Sequence, residues 1–87
     1  MENNIKCIIM KNNLKVEVYN NVRIITLKSK TDTLVIMKDY WPIVGEFFGK
    51  ISLELTDDSI TFDDVDGFYC LSNNIFRFIM KEENNVK

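Results

Sequence analysis

Six carboxylates stand between residues 51 and 76 with no basic residue among them: Glu54, Asp57, Asp58, Asp63, Asp64 and Asp66. Carboxylates in such a run could do three kinds of chemistry. A close pair such as Asp63 and Asp66 could share acid–base work, but only in a cleft that drives their pKa values apart. On tight turns of a small domain these acids are hydrated instead, so an enzyme is not expected. A loop of acids could also hold a hard cation. Within Phe62-Asp63-Asp64-Val65-Asp66-Gly67, however, an EF-hand would need an acid where Phe62 stands and a bidentate Glu where Asn73 stands. The third possibility is docking: exposed together, the six acids would meet a basic surface, and complementary charge raises association rate and specificity. The plainer reading is that they decorate turns and keep the surface soluble.

Other reactive residues are scarce. The chain has no His and two cysteines, Cys7 and Cys70. Zinc has no credible ligand set, and a cysteine nucleophile has no imidazole beside it. Each thiol reads as a small apolar residue in a strand rather than half of a disulfide. Three glycines do not make a phosphate-cradling loop. No metal, cofactor or catalytic residue is therefore expected.

The opposite charge lies upstream. Residues 6–50 carry eight basic and four acidic side chains, the basic ones being Lys6, Lys11, Lys15, Arg23, Lys28, Lys30, Lys38 and Lys50. A basic half with an exposed Tyr19, Tyr69 or Trp41 could bind nucleic acid or a nucleotide, which is the alternative to protein docking. Trp41 and Tyr69 are also candidate protein-binding anchors, because Trp and Tyr are enriched at interface hot spots.

The elements that would position these residues are mostly strands. Leu14, Val16 and Val18 alternate with Lys15, Glu17 and Tyr19, the pattern of a half-buried strand. Asn tolerates positive φ, so Asn12-Asn13 and Asn20-Asn21 read as hairpin turns. They separate strands at 5–11, 14–19 and 22–28. A polar turn at 29–33 precedes a strand at 34–37. Further strands follow at 51–56, 60–62, 68–71 and 75–80, with turns at 57–59, 63–67 and Asn73-Asn74.

One segment changes period. Tyr40, Ile43, Val44, Phe47 and Phe48 recur at three and four, which predicts a helix over 39–48. Asp39 would cap it, Pro42 would occupy its first turn and Gly49 would end it. Gly45 would weaken it by about 1 kcal/mol relative to Ala.

At 87 residues this is a single domain, 1–87, with 82–87 a frayed tail. The apolar fraction of 46% and net charge of −2 exclude a disordered chain. No apolar run reaches the roughly 18 residues of a membrane helix. No basic-then-apolar leader opens the sequence, so a cytoplasmic location is expected. The expected fold is α+β: a mainly antiparallel, strongly curved sheet or small barrel of seven to eight short strands with one central helix. Tyr40, Trp41, Phe47, Phe48, Phe62, Phe68 and Phe76 would fill its core. Unpaired edge strands would allow a homodimer or larger homo-oligomer.

The abundance of Ile, Lys and Asn suggests an AT-rich coding sequence, compatible with a bacterial virus or mobile element. The functional expectation is a small protein-binding module, such as a viral or mobile-element accessory protein. It would inhibit a host defence protein with a basic surface through its acidic patch, acting in the host cytoplasm.

Overall fold

The computed structural model describes residues 4–11 and 15–81. Every regular element among them is a strand: β1 (Ile5–Met10), β2 (Val16–Lys28), β3 (Thr33–Ile36), β4 (Ile43–Leu55), β5 (Ser59–Ser72) and β6 (Ile75–Met80). They form one mixed sheet in the order β1-β6-β5-β4-β2-β3, and β1 also pairs with β2, closing the sheet on itself. The β1–β6 pair is parallel, and the remaining pairs, including the closing β1–β2, are antiparallel. The class is therefore all-strand, and the expected α+β arrangement of seven to eight short strands around a helix is overturned.

The helix expected over 39–48 is instead the approach to β4 and its first half. The apolar residues of that segment satisfy two periods at once, and the alternating one wins. Ile43, Gly45, Phe47 and Gly49 face inward with Ile51, Leu53 and Leu55 beyond them, while Val44, Glu46 and Phe48 face out. Val44 is 74% exposed and Phe48 57%, although both belonged to the supposed helical stripe. The glycines are places of close approach rather than a helix defect and a helix stop. A Cβ at Gly45 would come within 2.9 Å of the Tyr69 hydroxyl. At Gly49, with φ 153°, a Cβ would strike the Lys28 carbonyl oxygen. Asp39 caps nothing. It sits at φ 66° in the connection between β3 and β4.

Two strands, β2 and β5, are longer than the sequence suggests because bulges replace turns. Ile5 faces Val22 while Cys7 faces Tyr19, so Lys6 stands against both Asn20 and Asn21. The second Asn pair therefore bends β2 and does not reverse the chain. A second extra residue, Arg23, separates Val22 from Ile24 opposite adjacent residues of β4. The two irregularities let one strand pair first with β1 and then with β3 and β4 while Tyr19, Val22, Ile25 and Leu27 all point inward. The turn expected at 63–67 is likewise strand. Gly49 faces Val65 and Ile51 faces Phe62, leaving Lys50 opposite Asp63 and Asp64 together, with Asp64 at φ 55°. The turns at 57–59 and Asn73-Asn74 are hairpin connections. The Asn12-Asn13 turn and the 82–87 tail lie outside the described residues.

All six strands contribute to the core: Ile5, Cys7 and Ile9; Val22, Ile25 and Leu27; Ile36; Ile51 and Leu53; Val65 and Leu71; Phe76 and Phe78. Of the aromatics expected there, Phe76 is fully buried, and Tyr40, Phe47 and Phe62 pack against it from partly buried positions. Trp41, Phe48 and Phe68 are on the surface. The body is elongated, 50 × 28 × 23 Å, because β4 and β5 form a hairpin of 13 and 14 residues.

Candidate functional site

The β4–β5 hairpin positions all six carboxylates on the outside of the body. Glu54 faces out near the end of β4, opposite Ser59. Asp57 and Asp58 form the connection, where Leu55 N–H donates to the Asp58 carbonyl at 2.8 Å. The Asp58 carboxylate accepts from Ser59 N–H at 2.8 Å, so its direction is fixed by the turn. Asp63 and Asp64 project side by side because the bulge adds a residue without turning the strand inward. Asp66 follows after the buried Val65.

These acids form a line rather than a cluster. From Asp58 to Asp66 the strand runs eight residues, or about 26 Å at its usual rise. Its middle and inner end are partly neutralised. Lys50 Nζ lies 3.9 Å from Asp63, and Lys81 Nζ lies 3.6 Å from Asp66 and 3.7 Å from Glu46. All of these side chains are substantially exposed, so each pair contributes at most about 1 kcal/mol and weakens with salt. Among the described residues no ion pair reaches Glu54, Asp57, Asp58 or Asp64.

The two aromatic candidates stand elsewhere. Trp41 is 80% exposed in the connection before β4. That end of β4 carries Ile43 opposite Leu71, and the acidic turn lies beyond Leu55. Twelve residue steps, about 40 Å, separate the two ends. Tyr69 turns inward from β5, stacks on Phe76 with centroids 6.1 Å apart, and lies over Gly45. The structure thus brings neither aromatic to Asp57 and Asp58.

Two features were missed by sequence reasoning. One is a polar cluster beside the core. Lys11 Nζ lies 3.0 Å from Glu17 Oε2, and the Tyr19 hydroxyl donates to Glu17 Oε1 at 2.8 Å. The Tyr19 ring meets Phe62 edge-on at 6.4 Å, and the Lys11 ammonium sits 5.8 Å from the same ring. Burial, then the hydrogen bond to Glu17, pushes the Tyr19 hydroxyl up to about 12. The bonds from Lys11 and Tyr19 hold Glu17 below the usual glutamate range. The alternation of Glu17 and Tyr19 was visible, but the bulge that turns them inward was not. The other feature is the edge of β4: β2 covers only residues 50–55 of it, and among the described residues no strand pairs with 43–49 on that side. No local signal reveals which half of a long strand its neighbour covers.

Among the described residues no three His, Cys, Asp or Glu side chains are grouped to hold a metal. Cys7 and Cys70 are both free; Cys7 is buried, and that burial pushes its thiol up to about 12. No helix of the described residues is long and apolar enough to cross a membrane.

No family model and no curated protein matches the chain. Among solved structures it resembles a chain in the cryo-EM structure of the Euglena gracilis mitochondrial ATP synthase, OSCP/F1/c-ring in rotational state 1. The TM-score is 0.75 at 15% identity, over 94% of this chain and 53% of that one. The chain thus spans about half the length of that neighbour, and at this identity the likeness is one of fold.

Proposed function

We propose that this chain is a protein-binding module that meets a basic partner surface with the outer face of its β4–β5 hairpin. One observation carries the reading: Glu54, Asp57 and Asp58 stand at the far end of a long hairpin, with no lysine or arginine paired to them among the described residues. Carboxylates left open in this way retain their field for a partner, whereas Asp63 and Asp66 spend part of theirs on Lys50 and Lys81.

In its most specific form the partner is a host defence protein whose basic channel takes nucleic acid, and the hairpin inhibits it by occupying that channel. The charge supports the channel, and the AT-rich composition supports a viral or mobile-element source. Capture from host lysate tests the reading. The wild-type chain and the Glu54→Gln, Asp57→Asn, Asp58→Asn variant are immobilised side by side, and bound proteins are identified by mass spectrometry. The reading expects a protein with a basic surface that elutes with salt and is absent from the variant. Identical captures by both chains would overturn it.

A further inference from the structure

On the outer face of the sheet, the strands from β4 through β5, β6 and β1 to β2 carry two neighbouring rows of mostly apolar side chains. In one row Val44, Cys70, Arg77, Ile8 and Val18 stand opposite one another on successive strands. In the next, Phe68, Ile79, Met10 and Val16 do the same. Val16, Val18, Val44, Phe68 and Ile79 are exposed. Contiguous exposed apolar surface with a polar rim marks an interaction site. Part of that rim is Lys81, which lies 5.4 Å from the Phe68 ring centroid and pairs with both Glu46 and Asp66.

Arg77 is the charge inside these rows. Its neighbours across the sheet are Cys70 and Ile8, and its neighbours along β6 on the same face are Ile75 and Ile79. The side chain is half-buried, and among the described residues no ion pair or hydrogen bond reaches it. A partner covering this face would bury the guanidinium, which is unfavourable unless the partner brings an anion. A carboxylate meets a guanidinium with two parallel hydrogen bonds. The backbone restricts the partner further. β5 over 67–72, β6 and β1 are each paired with a strand on both sides, so this part of the face offers side chains and no open edge. A helix satisfies its own backbone and presents an apolar stripe. Its pitch of about 5.4 Å is close to the strand spacing of about 4.8 Å, so stripe residues one turn apart fall on successive strands.

We propose that the outer face of β5, β6 and β1 around Arg77 docks an amphipathic helix of another protein whose apolar stripe carries one carboxylate, set against the Arg77 guanidinium. The site is separate from the acidic turn and goes beyond the hairpin contact proposed above. A second copy of this chain fits poorly. Every regular element among the described residues is a strand, and the carboxylates bordering the face, Glu46 and Asp66, are held by Lys81.

The test uses the full chain and three capped Ala-Gln helices of about 20 residues, alike in a leucine stripe and differing only in Glu, Gln or Lys at its centre, followed by amide NMR shifts. The Glu peptide should shift the amides of Ile8, Phe68, Arg77 and Ile79 saturably. It should bind about tenfold more tightly than the Gln peptide, with the Lys peptide weaker still. Arg77→Gln should erase the difference between the Glu and Gln peptides, and Arg77→Glu should make the Lys peptide the tightest. The Glu54→Gln, Asp57→Asn, Asp58→Asn variant should bind the Glu peptide as the wild type does. No saturable shift on this face, equal binding of the three peptides, or a Glu preference that survives Arg77→Gln would overturn the proposal. A Lys preference with shifts confined to 54–58 would overturn it and leave the acidic-hairpin reading standing. The same face shifting with phosphatidylcholine vesicles, or with protein concentration and no peptide, would assign it to a membrane or to a second copy and overturn it as well.

Discussion

Asp39 and Asn74 hold one another across 35 residues of sequence. Asp39 N–H donates to Asn74 Oδ1 at 2.6 Å, and Asn74 Nδ2 donates to Asp39 Oδ1 at 3.2 Å. Both have positive φ, 66° and 62°. The pair ties the connection before β4 to the β5–β6 turn, and Lys6 N–H donates to the Asn74 carbonyl at 3.0 Å, so β1 joins the same corner. Asn74→Ala loses both side-chain bonds and the tolerance of positive φ, and should cost about 1–2 kcal/mol in urea unfolding. Asn74→Gly keeps the backbone freedom and should cost less. Equal stability of the alanine variant and the wild type would show that the tie contributes nothing.

Asp64 is the bulge residue with positive φ on β5. Glycine accepts that conformation and a β-branched residue does not. Asp64→Gly should leave thermal stability nearly unchanged, while Asp64→Val should lower it by about 1–2 kcal/mol. The bulge also serves an edge: among the described residues, the side of β5 away from β4 is unpaired over 59–65. Paired carboxylates on a kinked strand discourage association there. Asp63→Asn with Asp64→Asn keeps the kink but removes the charge, and should sediment with concentration-dependent association where the wild type does not.

The polar cluster at Tyr19 gives stability a dependence on pH at both extremes. The Tyr19 pKa of about 12 lies above the ordinary value near 10. Its contribution is therefore complete below about 10 and is lost as pH rises through about 12. The Glu17 pKa is lowered, so its contribution is present above the ordinary glutamate range and is lost as pH falls through its folded value. Tyrosinate absorbance of the native protein should show a step near 12 that Tyr19→Phe removes. Persistence of that step in the variant would contradict the assignment.

The two thiols should differ sharply. Cys7 is fully buried in β1 with its thiol pushed up to about 12, whereas Cys70 is half-buried beside exposed Val44. A disulfide reagent at neutral pH should modify Cys70 alone in the folded protein and both residues after unfolding. Cys7→Ser should cost about 1–3 kcal/mol, because its hydroxyl would be buried among apolar side chains. Fast native modification of Cys7 would contradict its placement.

How much of this was legible from sequence depends on how local each cause is. Asp57-Asp58-Ser59 and Asn73-Asn74 reverse the chain by their own side-chain and φ chemistry, and both hairpins lie where those residues place them. Asn20-Asn21 has the same chemistry but bends a strand, because Lys6 on β1 faces the pair. Whether a φ-tolerant pair becomes a turn or a bulge is decided by the neighbouring strand. The 39–48 segment failed for a related reason: Ile43, Val44, Phe47 and Phe48 fit both periods, and only the inward continuation through Ile51, Leu53 and Leu55 decides between them. The acidic run was visible as composition. Its extension into a line required the Asp63–Asp64 bulge, and the open edge of β4 required knowledge of where β2 ends.

The most direct test of the acidic-hairpin reading is affinity against salt for the captured partner. Wild type and the Glu54→Gln, Asp57→Asn, Asp58→Asn variant are titrated at low, physiological and high ionic strength, after urea unfolding has shown both to be equally stable. Wild-type affinity should fall steeply with salt, and the variant should bind about tenfold or more weakly at low salt with a shallower dependence. Equal affinities and equal salt slopes would contradict the account.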